Sequence, residues 1–176
     1  KYGSHAVLGS ITGVKIIDGE LTYETYDNAK AVNLCGSGIM ELICELFQNS
    51  IVDKMGNISP LSKIVRPNFR KGESGLEILV GEDITVTQNE IKYFIDSKAA
   101  IAATISTLLD LAECDIENIE EVLVAGGFGN LDFKKAIALG LLPHIPLDHF
   151  KYIGNTSLAG AVKFLLGEDQ KSINEI

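Results

Sequence analysis

The sequence predicts an α/β domain, and three observations carry that prediction. A short apolar run, Val122-Leu123-Val124-Ala125, breaks at the glycine-rich corner Gly126-Gly127-Phe128-Gly129-Asn130 and then feeds a helix. The last third of the chain alternates strand, helix, strand, helix, the pattern that places helices on the faces of a sheet. In 176 residues, 46% of them apolar, there is enough hydrophobic side chain to bury a core as one domain, or as a compact domain with a small lobe.

Taken in order, Ala6-Val7-Leu8-Gly9 and Ile11 through Ile17 read as extended segments. Asp18-Gly19 is a hairpin-type dipeptide before the β-rich run Leu21 to Tyr26, so a hairpin opens the chain. After Val32-Asn33-Leu34 comes Cys35-Gly36-Ser37-Gly38, a glycine-rich entrance to a helix whose Ile39, Leu42, Ile43, Leu46 and Phe47 share one face. Ser37 is the expected N-cap. Ser50 through Gly75 carries turn residues, Pro60 and Pro67, and the basic Arg66, Arg70 and Lys71, and reads as an irregular excursion, a small lobe or flap.

Leu76 to Val80 and Ile84 to Val86 read as two short strands joined through Gly81-Glu82-Asp83. Thr87-Gln88-Asn89-Glu90 has capping-box spacing, in which a Thr hydroxyl and a Glu carboxylate three residues on satisfy amides that the first helical turn leaves unpaired. A long helix comes next. Its Ile101, Ile105, Leu108 and Ala112 form a stripe expected in the core, and Ala99, Ala103 and Ser106 a neighbouring strip where another backbone can approach. The final units are the strand Val122 to Ala125, a helix from about Asp132 to Leu139 stopped by Gly140, the strand Lys151 to Gly154, and a helix through Leu158, Ala161, Val162 and Leu165 ended by Gly167. Residues 168–176 form a polar tail without periodicity.

Charge and cysteine usage exclude several function classes. With 15 basic against 24 acidic residues, net charge −9, the chain lacks the basic face that sequence-independent nucleic-acid binding needs, so an anionic ligand would require local backbone donors. Cys35, Cys44 and Cys114 are dispersed, and neither a disulfide framework nor a cluster or zinc ligand set is visible, which fits a reduced, cytoplasmic setting. No apolar stretch approaches the roughly 20 residues that span a bilayer, and the first residues have no signal-peptide pattern. A start at Lys1 rather than at methionine suggests a piece of a longer protein.

The glycine corner is the candidate binding site. Without Cβ, Gly126, Gly127 and Gly129 can take positive φ and come against a flat ligand, leaving N–H groups for phosphates; a plain tight turn is the alternative. Cys35 at a helix entrance has no histidine near it in sequence, and Ser37 lacks the flanking glycines of a nucleophile elbow. His144 and His149 flank Pro146 without metal-ligand geometry and read as surface residues.

Several blocks together resemble the C-terminal ATPase region of the reductive activators of corrinoid proteins, within the superfamily of sugar kinases, actin and heat-shock chaperone ATPases. They are Cys35-Gly36-Ser37-Gly38-Ile39-Met40-Glu41-Leu42, Ile84-Thr85-Val86-Thr87-Gln88, Lys98-Ala99-Ala100-Ile101, Ala125 to Asn130, Ile137 to Pro143, and Gly154-Asn155-Thr156-Ser157-Leu158-Ala159-Gly160-Ala161. The resemblance implies part of a ribonuclease-H-like, actin-like ATPase domain with a small inserted lobe. On that pattern residues 34–97 supply a helix plus the lobe, 98–167 the adenosine-binding α/β part, and 168–176 the tail.

It further implies ATP or ADP as ligand, with Gly126, Gly127, Phe128, Gly129 and Asn130 backing the adenosine and Ser97 and Lys98 where family helices approach the ribose. A solvated surface lysine is the competing reading of Lys98. Gly160 and its neighbours resemble a final connecting helix, where a hinge and tight packing stand as equal alternatives. The superfamily's acidic, Gly- and Thr-rich phosphate hairpins, which organise magnesium, have no match here; Gly9-Ser10-Ile11-Thr12-Gly13 lacks the acidic partner. The fragment is therefore expected to begin after both hairpins, to lack the family's iron–sulfur domain, and to have no catalytic residues of its own.

The partner implied is a corrinoid protein of a methyltransferase system, whose cobalt the parent protein reduces from Co(II) to Co(I) at the expense of ATP. Neither nucleic acid nor membrane is implied, and a homodimer is one open assembly. A sugar or small-acid kinase and a non-catalytic interaction domain are the alternative functions.

Overall fold

Asp18 and Gly19 both adopt positive φ, 51° and 84°, and make the two-residue turn that the dipeptide predicts. The structure, a computed structural model, describes residues 2–4, 6–59, 68–72, 75–126 and 132–167. The turn joins β2 (Ser10–Ile17) to β3 (Glu20–Thr25) with Ile17 opposite Glu20. On its other side β2 pairs in parallel with β4 (Asn33–Cys35), which pairs in parallel with β1 (Tyr2–Ser4), giving the order β1-β4-β2-β3. Leu8-Gly9, expected as extended, is instead a turn. Gly9 has φ 80°, the Ser10 amide donates to the Val7 carbonyl, and the Ser10 hydroxyl accepts from the Val7 amide at 2.8 Å.

Helix α1 (Gly36–Gln48) continues directly from β4 and packs on β2. Its N-cap is Cys35 rather than Ser37, which lies inside the first turn. The Cys35 thiol, 2% exposed, donates to the Ile11 carbonyl at 3.1 Å and lies 3.2 Å from the Ser37 hydroxyl, so it is spent on packing. Gly38 explains the glycine-rich entrance: a Cβ there would stand 2.1 Å from the Ile11 carbonyl oxygen. The helix is buried on two sides. Leu42 and Leu46 join Ile11, Val14, Leu34, Ile51, Ile78, Val86 and Ile91 in the main core, while Met40, Ile43 and Cys44 meet Ala136 and Leu139 in a second cluster.

The excursion after α1 is more ordered than its composition suggests. Asp53 accepts from the Met55 and Asn57 amides and from the Asn57 side chain, and those donors, the Asn57 backbone first, hold its carboxyl below the usual range. Asn68–Gly72 forms β5, where the composition predicts an irregular segment. It pairs antiparallel with β6 (Gly75–Leu79), which pairs with β7 (Thr85–Thr87). The sequence Asn-Phe-Arg-Lys-Gly is poor in β-branched residues, so the ladder offered by β6, and not local propensity, makes it a strand. Ile78, Val80 and Val86 close this sheet onto the same core as β2 and β4.

Helix α2 (Gln88–Leu111) starts with the expected capping box. The Thr87 hydroxyl accepts from the Glu90 amide, and the Glu90 carboxylate accepts from the Thr87 amide at 2.7 Å. Only Ile91 of this helix is buried. Ile101 and Leu108, expected in the core, are 42% and 59% exposed. Periodicity states which face of a helix is apolar; whether anything covers that face depends on neighbours, and among the described residues the second half of α2 has few.

The last units are β8 (Val122–Val124), α3 (Phe133–Ala138), β9 (Phe150–Tyr152) and α4 (Thr156–Leu165). β8 and β9 form a two-stranded parallel sheet with Val122 opposite Phe150 and Val124 opposite Tyr152. No residue of α4 is buried. Among the described residues no helix is long and apolar enough to cross a membrane.

Replacing Gly38 by Ala forces helix and strand apart, and we expect a loss of about 1–3 kcal/mol, read as a lower urea midpoint at unchanged slope. Gly160→Ala is the matched control, because a Cβ at Gly160 meets no described residue within 4 Å. There an interior helical alanine should leave stability unchanged or raise it by up to about 1 kcal/mol. Equal stability of the two variants would contradict the close approach.

Candidate functional site

The two parallel strands end side by side, and the turns at their carboxyl ends build the site. Beyond β8, Gly126 takes φ 120°, a conformation that side chains with a Cβ rarely adopt, and a Cβ built there meets no described residue within 4 Å. Beyond β9, Gly154 takes φ 77°, and a Cβ there likewise meets no described residue within 4 Å. Three hydrogen bonds fasten the two ends together. The Ile153 amide donates to the Val124 carbonyl at 3.0 Å, the Gly126 amide to the Gly154 carbonyl at 3.0 Å, and the Tyr152 hydroxyl to the Gly126 carbonyl at 2.7 Å. The result is a fixed rim, left uncovered by the described residues, at the carboxyl ends of the strands, where ligands of α/β sheets collect.

The elements leaving the rim are capped at their first turns. Asn155 is the N-cap of α4, its side-chain oxygen accepting from the Leu158 amide at 3.1 Å, and Asp132 caps α3 through the Lys135 amide. Beneath the rim, Phe150 is buried and stacks on Phe133 with ring centroids 5.4 Å apart. His149, which the sequence predicts at the surface, is half-buried, with Nδ1 2.8 Å from the Ile119 carbonyl; His144 is exposed. Lys151 pairs with Glu121 across the outer edge of the sheet.

Helix α3 is tied to the body of the domain by the ion pair of Lys135 with Glu41 on α1, both side chains being largely buried. Burial alone would lower the Lys135 pKa, but the hydrogen bond and charge of Glu41 outweigh it and leave the ammonium above the ordinary lysine value. Burial also pushes the Cys44 thiol up, against the pull of Lys135, which makes it a poor nucleophile.

The sequence-predicted site residues divide into three groups. Gly126 lies at the rim. Gly127, Phe128, Gly129 and Asn130 lie outside the described residues. Ser97 and Lys98 sit on α2. The Ser97 hydroxyl is exposed and donates back to the Tyr93 carbonyl at 2.8 Å, while Lys98 is half-buried. The glycine that Lys98 meets is Gly140, where an added Cβ would stand 3.2 Å from its Cε. Gly140 closes the end of α3 opposite the one the glycine corner feeds, roughly 9 Å away along a six-residue helix. Past Gly140, residues 141–143 and the Ala102, Ile105, Ser106 and Leu109 face of α2 border a groove of about 380 Å³. Tyr152, which clamps the rim, carries no signal in the sequence beyond its place in a β-run.

Among the described residues the rim offers backbone groups, not a reacting side chain. Among the described residues no three His, Cys, Asp or Glu side chains are grouped to hold a metal ion. The absent Cβ at Gly126 leaves the backbone there approachable by a flat ligand, as far as the described residues go.

Comparison with known proteins agrees with this architecture. Residues 1–176 match the family described as the C-terminal domain of RACo, the ASKHA domain. The chain is 29% identical over 185 residues to the corrinoid activation enzyme RamQ of Eubacterium limosum, a match covering 97% of this chain and 31% of that protein. It also superposes on a solved structure titled reductive activator for corrinoid, iron-sulfur protein. There the TM-score is 0.86 and the identity 36%, over 99% of this chain and 29% of the other. The chain thus spans about a third of the length of these relatives.

Removing the charge of Glu41 leaves a largely buried ammonium unpaired, so Glu41→Gln should cost about 1–3 kcal/mol in denaturant unfolding at neutral pH. Because the Lys135 pKa is raised on folding, the contribution is complete below the unfolded lysine value and fades only as pH climbs through the higher folded one. A deficit that already disappears between pH 7 and 9 would show that the pair does not hold α3.

Proposed function

The chain belongs to the family of the C-terminal ASKHA domain of RACo, and we propose that it is the nucleotide-binding C-terminal part of an ATP-dependent reductive activator of a corrinoid protein. The single observation that carries the proposal is the Gly126 rim. It is an open glycine of positive φ at the carboxyl end of a parallel strand, in a chain matched along its whole length to an ASKHA domain. Gly126 to Asn130 back the adenosine in this reading; Lys98 and Ser97 would reach it only from α2, where Lys98 meets Gly140 and the Ser97 hydroxyl bonds its own helix. Magnesium and an iron–sulfur cluster belong to other parts of the parent protein, which works in the cytoplasm.

The parent's task is to help electrons reach the cobalt of a corrinoid methyltransferase system, taking Co(II) to Co(I). Nucleotide contributes by favouring one arrangement of the protein over another; it can shift that equilibrium only by the difference in its affinity for the two states. The exposed apolar stripe of α2, with Ile101, Leu108 and Leu111, and that of α4, with Leu158, Val162 and Leu165, are the surfaces through which this part meets the rest.

Two measurements test the proposal in the full-length protein. Calorimetric titration should show ADP binding at one site per chain, with Gly126→Val losing affinity beyond any loss of folded protein. A folded Gly126→Val variant that binds ADP like the wild type would remove the rim from the site. With the corrinoid partner and a low-potential reductant present, loss of the Co(II) signal should depend on ATP. Reduction at the same rate without ATP would overturn the activator assignment.

A further inference from the structure

The second half of α2 turns one face, apart from its stripe of Ile101, Leu108 and Leu111, into the groove that begins past Gly140. Ala102, Ile105, Ser106 and Leu109 recur at the i, i+3, i+4, i+7 spacing of a single helical face and make one wall about two turns long, roughly 10 Å. Leu141 and Leu142, in the segment that follows α3, stand on the other side of a volume of about 380 Å³. Ala102 and Ser106 are the small members of the helical wall, so a second helix can come close there and seat its side chains beside Ile105 and Leu109.

The two ends of this groove differ in charge. Gly140, against which Lys98 packs, borders one end. Asp110, Cys114, Asp115 and Ile116 border the other, where α2 stops. From Asp110 to Glu121 the chain carries six acidic residues and neither Lys nor Arg. Glu121 is paired with Lys151, but among the described residues Asp110, Glu113, Asp115 and Glu117 have no ion-pair partner. The C-terminus of a helix is the negative end of its dipole and is stabilised by cations, yet the last turn of α2 holds Asp110 and no basic residue. Like charges are thus gathered where the backbone is already negative, an arrangement that a cation from outside the domain relieves. Residues 168–176, with three acids and one lysine, have the wrong net charge to supply it.

We propose that this groove docks an amphipathic helix of a separate protein, which inserts aliphatic side chains between α2 and residues 141–143 and sets Lys or Arg side chains against Asp110 and Asp115. The apolar walls supply the anchoring contacts of helix-in-groove recognition, and the acidic end fixes which way the docked helix lies. The inference does not depend on the nucleotide reading, because the groove lies past the end of α3 opposite the Gly126 rim.

Cys114 is the reporter for the test: it is half-buried at the acidic end of the groove, whereas Cys35 and Cys44 are buried. In the full-length protein, alkylation of Cys114 by N-ethylmaleimide is followed by mass spectrometry, without and with a synthetic amphipathic leucine–lysine peptide or its leucine–glutamate counterpart. We expect Cys114 to react in the protein alone and to be protected saturably by the lysine peptide. Its dissociation constant should be about tenfold below that of the glutamate peptide, the gap narrowing at high salt. Asp110→Lys combined with Asp115→Lys should reverse the preference. Ala102→Gln, which puts a longer side chain into the groove from an exposed position of a helix that tolerates it, should abolish protection at an unchanged melting temperature. No protection by either peptide, equal protection by both, a preference that survives the charge reversal, or protection that Ala102→Gln leaves intact overturns the inference. So does a Cys114 already shielded in the protein alone, which assigns the groove to a contact within its own polypeptide.

Discussion

The approach of α1 to β2, close enough that a single methyl group at Gly38 would collide with the Ile11 carbonyl, is the constraint on which the rest of the domain is assembled. Helices and sheets ordinarily pack with side chains between them; here backbone lies against backbone, so α1 sinks into the fold and becomes buried on two sides. One side closes the core shared by the four-stranded and three-stranded sheets, through Leu42 and Leu46. The other receives α3 through Met40, Ile43 and Cys44. A side chain at position 38 would lift α1 and loosen both clusters together.

From α1 the order passes to the rim through a short physical chain. Glu41 holds Lys135; Ala136, the next residue on α3, is fully buried against α1; Asp132 caps the same helix at the end that receives the glycine corner. On the other flank, β9 is seated by buried Phe150 stacked on Phe133 and presents Tyr152 and Gly154 to the rim. The candidate site thus has an anchored floor, and no described residue covers it at Gly126 or Gly154. Glycines at 126 and 154 permit the turns, while residues farther away decide how the turns are held.

How much of this is legible in the sequence depends on the range of the interaction. Asp18-Gly19 and the Thr87–Glu90 capping box act within four residues and appear as predicted. The glycine-rich stretch at 35–38 is legible as a helix entrance, but the reason for Gly38 is not, because the atom it avoids lies on Ile11, 27 residues earlier. Strand β5 escapes notice because its ladder partner, not its composition, creates it. Ile101 and Leu108 form the predicted stripe without the predicted burial. At the site, the position of Gly126 is legible from the strand that ends there. Tyr152 is not, since a tyrosine in a β-run looks like any other strand former and its hydrogen bond reaches back 26 residues.

The two helices that leave the rim differ in what it takes to displace them, and that difference decides where a ligand's effect can travel. Moving α3 would expose Ala136 and break the largely buried Lys135–Glu41 pair, a cost of several kcal/mol by the usual worth of such contacts, about 1–3 kcal/mol each. Moving α4 disturbs no buried residue of its own. Yet α4 starts immediately after Gly154 and Asn155, and the Gly154 carbonyl is hydrogen-bonded to the Gly126 end of the rim. A ligand that reorders the rim therefore has a stiff exit through α3 and a compliant one through α4. Of the two helices α4, with its exposed Leu158, Val162 and Leu165, is therefore the one that a change at the rim would displace at least cost.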